Sequence, residues 1–240
     1  MMMNTYKSIN ILAITLGLAL YGCSSSSTTT PSSGGTTTPT PASYEITLTN
    51  LTGAQAIAPV AVVLHTSGYN MGMLGTSASL ALEKLAEGGD NVMLLSEANA
   101  HASVLTSVGG AGAIMPAASE TLMANVTDSA GLQLSVAGML VNTNDGFAAL
   151  QGLDISTLAV GESTSAFLAV FDAGTEANTE TAATMPGTGG TGFDAVRDDT
   201  GFISIHRGVV TVDDGLATSG LMDKHRFDNP ALKVVIRRVS

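Results

Sequence analysis

Cysteine occurs once in 240 residues, at Cys23, so the chain can form no internal disulfide and no cysteine-based metal site. Tryptophan is absent and aromatic residues make up only 4%, which leaves the core to Val, Leu, Ile, Ala and Met. Basic residues are also scarce: 9 Lys and Arg stand against 20 Asp and Glu, a net charge of −11. A chain this poor in Lys and Arg lacks the clusters that bind phosphate, which argues against nucleic acid and anionic lipid as partners. Its natural small partners are cations. No G-x-S-x-G elbow and no H-E-x-x-H motif is present, and His65, His101, His206 and His225 lie far apart without metal-ligand spacing. A Ser/His/Asp triad is defined by geometry rather than spacing, so a hydrolase stays open as the least favoured reading.

What is present is most specific at the N-terminus. Lys7 precedes the apolar run Ile11–Leu20, which is half the roughly 20 residues needed to cross a hydrocarbon core. The pattern is that of a signal peptide over residues 1–22. Leu20-Tyr21-Gly22-Cys23 resembles the bacterial lipobox, in which cleavage before Cys exposes a sulfur for acylation, and the only thiol of the chain stands there. Lipidation at Cys23 and export to the cell envelope follow as expectations, with the outer membrane implied by Ser24 in a Gram-negative host. Ser24–Pro41 contains only Ser, Thr, Gly and Pro. It can bury no apolar surface and reads as a disordered tether of roughly 25 Å, so that residues 23–42 link the lipid to a domain over 43–240. Without Lys7, the remainder carries 8 basic against 20 acidic residues, a net −12.

From Tyr44 onward the hydrophobic period is mostly two. Tyr44, Ile46 and Leu48 alternate with Glu45, Thr47 and Thr49, and further strand signals fall at 57–65, 132–141, 165–171, 202–206 and 231–239. One segment, 77–87, has the helical period instead, with Ala78, Leu82 and Leu85 on one face, Thr76 or Ser77 to cap it and Gly88 to end it. The expectation is an antiparallel β-sandwich with one short helix. Gly187–Gly192 fits G-x-G-x-x-G, but Pro186 precedes it and no helical pattern follows, so a flexible loop is preferred to a dinucleotide site. The same holds for 189–197, a single copy of a calcium nonapeptide that works only when stacked.

Two acidic loops are more informative. Asn142–Gly146 follows one apolar run, and Asp172–Glu176 follows another. Each presents carboxylates and amide oxygens around a glycine. Brought to one end of a sandwich, they would repel one another unless a hard cation lay between them, and Ca²⁺ accepts six to eight oxygens in irregular cages. The residues alone leave both a metal site and ordinary solvated turns open.

The stretches 134–150 (LSVAGMLVNTNDGFAAL), 171–180 (FDAGTEANTE), 202–208 (FISIHRG) and 227–238 (FDNPALKVVIRR) together resemble the spondin N-terminal domain, over essentially Tyr44–Ser240. The resemblance implies a C2-like β-sandwich that holds Ca²⁺ in loops at one end. By position, the ligands carry over to Asp145, Asp172 and Glu176; Glu176 is one methylene longer than the aspartate of animal members, whose disulfides this chain also lacks. The function it implies is a lipid-anchored binding or adhesion module without enzymatic activity, facing a surface carbohydrate or protein ligand. The alternative is a structural envelope lipoprotein in which Ca²⁺ only braces the loops.

Overall fold

The computed structural model describes residues 38–240; the expected signal peptide, Cys23 and most of the tether lie outside the described residues. Nine strands and two helices follow in the order β1 (Ala42–Asn50), β2 (Ala61–His65), α1 (Leu80–Gly88), α2 (Val92–Asn99), β3 (Val104–Gly109), β4 (Ser119–Val126), β5 (Gln133–Met139), β6 (Gly146–Asp154), β7 (Ser163–Asp172), β8 (Ser204–Ile205) and β9 (Leu232–Arg238). All named pairings are antiparallel, in the order β3-β2-β5-β6-β7-β9-β1-β4, with β8 beside β7. The mainly-β sandwich expected from the sequence is the fold observed.

β7 joins the two layers. Ser163–Leu168 pairs with β9 in the layer β7-β9-β1-β4, whereas Ala169–Asp172 pairs with β6 in the layer that continues to β5, β2 and β3. Strand alternation then fills the space between the layers. Tyr44, Ile46 and Leu48 of β1 and Leu232, Val234 and Ile236 of β9 meet Val62, Leu64, Leu134, Val136, Leu168 and Val170, all without solvent exposure. Each such aliphatic side chain contributes about 1.5–3 kcal/mol by burial. The outer face of β1 is polar, with Thr47 and Thr49 hydroxyls bonded to Thr121 and Ser119 across to β4 at 2.9 and 2.8 Å.

β2 is buried on both faces, which is why its sequence reads as an unbroken apolar run. Val62 and Leu64 enter the sandwich core, while Ala61 and Val63 lie under α1 and α2 with Leu82, Leu85, Leu94 and Ala98. The structure corrects the sequence reading of the helices and of one strand. α1 starts at Leu80 rather than Ser77: Ser79 is its N-cap, accepting from the Leu82 N–H at 3.2 Å, and the left-handed Gly89 (φ 67°) ends it. There is also a second helix, α2, whose buried face consists only of Leu94 and Ala98, one turn apart. Of the expected strand at 202–206, only Ser204 and Ile205 pair as β8. Among the described residues no helix is long and apolar enough to cross a membrane.

Candidate metal centre

Asp145 immediately precedes β6 and Asp172 ends β7, and the two strands pair with Gly146 opposite Asp172. Antiparallel register therefore brings the two acidic loops together. The first loop is a tight turn. Thr143 Oγ1 donates to the Leu140 carbonyl at 2.6 Å and accepts from the Gly146 N–H at 3.0 Å, while Gln55 Oε1 accepts from the Asn142 N–H. Gly146 has no room for a side chain: a Cβ would lie 2.7 Å from Thr143 Oγ1 and 2.9 Å from His206 Cδ2. In the second loop Gly174 is left-handed (φ 69°), and a Cβ there would come within 2.2 Å of the Phe202 carbonyl oxygen. The glycine lets the 200–202 segment pack onto the loop, with the Gly201 N–H donating to the Gly174 carbonyl at 2.8 Å.

Asp145, Asp172 and Asp199 each place a carboxylate oxygen within 4.8 Å of the others. Asp145 is fully buried. Its Oδ2 accepts from the N–H groups of Thr175 (2.7 Å) and Glu176 (3.2 Å) and from Thr175 Oγ1 (3.2 Å), but its Oδ1 is buried with no partner. Asp172 is fixed by the Gly174 N–H at 2.8 Å and by Asn178 Nδ2 at 2.7 Å. Asp199 is the exposed member, and burial together with Asp172 raises its pKa. Three like charges this close repel by roughly 3–4 kcal/mol per pair at an effective dielectric near 20. Without a cation, burial and then Asp172 push the Asp145 carboxyl up to about 7. Oxygen-only donors of mixed burial, one with an unused lone pair, fit a hard cation such as Ca²⁺.

Of the three residues read from the sequence, Asp145 and Asp172 belong to this group, and Glu176 stands beside it. Glu176 Oε1 accepts from Asn144 Nδ2 at 3.2 Å, while its Oε2 is buried without a partner. Burial, with the charges of Glu87, Asp145 and Asp198 adding to it, raises its pKa to about 7. Asp199 was not legible as a ligand. It follows Arg197 and Asp198 in a stretch without apolar period, and only the fold carries it to Asp172.

A cavity of about 310 Å³ opens from the group, lined by Asp172, Asn178, Glu180, Asp199, Ser204 and Arg207 among others. His206, 4% exposed, stands beside Gly146 and feels the charge of Asp172. Its Nδ1 accepts from the Gly208 N–H at 3.0 Å, so the neutral ring carries its hydrogen on Nε2 and does not offer that nitrogen as a ligand. Burial lowers the His206 pKa against the opposing pull of Asp172.

A second polar cluster brings together histidines that sequence spacing could not connect. Tyr69 lies between His65 and His101, at ring-centroid distances of 5.0 and 5.5 Å. His65 Nδ1 meets the Thr66 carbonyl and Nε2 meets Ser135 Oγ, each at 2.8 Å. This Ser–His pair has a backbone carbonyl where a triad has a carboxylate, and both side chains are wholly buried. Ser135 Oγ also accepts from the Gly152 N–H at 2.9 Å, at the irregular β5–β6 register, so the pair ties strands together. The glycine-rich segment is likewise structural: the Gly187 N–H donates to the Val141 carbonyl at 2.7 Å, packing the segment against the Asn142 turn. The chain matches no family model and no curated protein.

Proposed function

We propose that the protein is a lipid-anchored envelope protein whose β-sandwich binds Ca²⁺ at one end and serves as a binding or adhesion module of the spondin N-terminal kind. The observation that carries the metal reading is the convergence of Asp145, Asp172 and Asp199, with the buried, unpartnered Oδ1 of Asp145 among them. Asp145 and Asp172 hold the ion from the rigid ends of paired strands, and Asp199 adds a carboxylate from the cavity side. When bound, Ca²⁺ supplies positive charge to balance the three acids and open coordination positions toward the cavity. Loops tightened in this way present a defined surface, and the cavity gives a surface carbohydrate or protein ligand direct access to the ion. The anchor at Cys23 and the tether are supported by the sequence pattern, as is the spondin likeness, through DAGTE above all.

The bracing reading, in which Ca²⁺ only stabilises loops, draws support from the complete burial of Asp145. The two differ in the cavity: a bracing ion leaves Ser204 and Arg207 free to vary, whereas a ligand-binding one does not. The metal claim is tested by the shift in melting temperature with millimolar Ca²⁺ for the wild type, Asp145→Asn and Asp172→Asn. Stabilisation of the wild type alone is expected. Equal shifts in all three proteins would overturn the site. Mg²⁺ should stabilise less, since it requires octahedral geometry and retains its waters.

A further inference from the structure

Asp199 reaches the cation group from a segment, residues 192–201, that has neither helix nor sheet pairing of its own. The segment is held on both sides. Toward the DAGTE loop, the Asp198 N–H donates to the Thr175 carbonyl at 3.1 Å, Asp198 Oδ1 accepts from the Ala177 N–H at 2.8 Å, and Gly201 bonds Gly174. On the other side is one face of α1. Arg197 Nη2 donates to Glu83 Oε2 and, at 2.9 Å, to the Ala78 carbonyl. Glu87 Oε2 accepts from the Asp194 N–H at 2.8 Å, and the Lys84 ammonium stands 4.4 Å over the Phe193 ring. At Gly88 a Cβ would sit 3.4 Å from the Phe193 nitrogen. Residues 83, 84, 87 and 88 are one face of a helix at i, i+1, i+4 and i+5, and each of them meets the segment.

Glu83 and Glu87 are almost wholly buried, at 3% and 1% exposure, which is costly for two carboxylates without a function in holding something. The segment itself brings Asp194 beside Glu87. Arg197 is the one cation ion-paired to either glutamate among the described residues. Its pairing turns a repulsive approach of acids into an attachment.

We infer that residues 192–201 are a strap that delivers Asp199 to the cation, and that the Glu83–Arg197 pair of α1 is its positioning device. The inference rests on the Ca²⁺ reading of the same site. Arg197 and Glu83 touch no carboxylate of the cation group; they act through Asp199. Outer residues that orient ligands typically account for 10- to 100-fold in metal affinity.

The experiment is calorimetric titration of the purified protein with Ca²⁺, using wild type, Arg197→Ala, Glu83→Gln, Asp199→Asn and the double variant Arg197→Ala/Asp199→Asn. Arg197→Lys is included as a milder change, and Arg226→Ala, which breaks the exposed pair with Asp214, as a control. Arg197→Ala, Glu83→Gln and Asp199→Asn should each weaken Ca²⁺ binding about 10-fold or more, Arg197→Lys less, and Arg226→Ala not at all. The double variant should bind as Asp199→Asn alone, because the strap has nothing left to position. Unchanged affinity in folded Glu83→Gln and Arg197→Lys, or additive losses in the double variant, would overturn the strap while leaving the metal site intact. A wild type that binds no Ca²⁺ would overturn the metal reading first, and the strap with it.

Discussion

Asp145 divides its two oxygens between two tasks. Oδ2 is committed to the backbone of Thr175 and Glu176, which locks the two acidic loops together, while Oδ1 is buried without a partner and is the oxygen proposed for the ion. This sets a pH dependence. In the Ca²⁺-free protein the folded-state pKa is raised to about 7, against an ordinary 3.8, chiefly by burial. The folded state thus keeps a proton that the unfolded chain has released, and the stabilisation is complete below about 3.8 and lost as pH rises through 7. Ca²⁺ requires the ionised form, so binding expels that proton and becomes stronger as pH rises toward 7. Glu176, also near 7, adds to the effect if it ionises with the ion. Titrations at pH 5.5 and 7.5 should differ in Kd by at least about tenfold, with proton release at the lower pH. A Kd independent of pH would contradict this account of Asp145. At this scale the sequence pointed to Asp145 and Asp172, which meet in the carboxylate group, and to Glu176, which stands beside it, through carboxylates beside glycines after apolar runs. Asp199 stayed hidden because its position depends on contacts from Gly174 and from α1, far away in the chain.

The elements were legible where burial is one-sided and regular. β1 alternates apolar and polar residues from Ala42 to Thr49, β9 buries Leu232, Val234 and Ile236 at every second position, and β5 and β7 carry enough Leu and Val to show. β3, β4 and β6 were missed for a physical reason: β3 has no fully buried residue to mark a face, the inward positions of β4 and β6 include Ala124 and Ala148, too small to mark one, and β6 opens on a glycine. α2 was missed because two buried residues, Leu94 and Ala98, give no stripe, while Val92 and Met93 are exposed and blur it. The hinge within β7 could not be read from sequence, since the change of partner after Leu168 depends on both layers. The second acidic loop offers a sharp test of element geometry. Gly174→Ala adds a methyl to a left-handed residue whose Cβ would lie 2.2 Å from the Phe202 carbonyl oxygen. A left-handed alanine alone costs about 1–2 kcal/mol, and the clash must also push the strap outward. The variant should lower the melting temperature and weaken Ca²⁺ binding together, whereas Gly75→Ala, with open space around a left-handed glycine, should cost only the strain. Equal effects of the two changes would contradict the role given to the close approach.

For the whole molecule, the acids have two kinds of setting. Many of the 20 are solvated and keep a chain of net −11 soluble. A smaller set, including Glu83, Glu87, Asp145, Asp172 and Glu180, is buried at one end of the sandwich, where only a proton, an arginine or a metal ion can balance it. The proposed anchor adds a separate test. Labelled palmitate should enter the wild type in cells, and Cys23→Ala should lose both label and membrane retention; a Cys23→Ala protein still found with membranes would contradict the lipoprotein reading. The central claim is that the buried acids hold Ca²⁺, and calorimetric titration of the wild-type protein at pH 7.5 tests it most directly. Extracellular calcium modules bind with Kd of about 10⁻⁴–10⁻³ M. Ca²⁺ at ten times the Kd should then stabilise the fold by roughly 1.4 kcal/mol, a rise of a few degrees in melting temperature for a domain of this size. One ion per chain in that range, abolished by Asp145→Asn, is the result predicted; no heat of binding with millimolar Ca²⁺ would contradict it and leave the three carboxylates as proton carriers only.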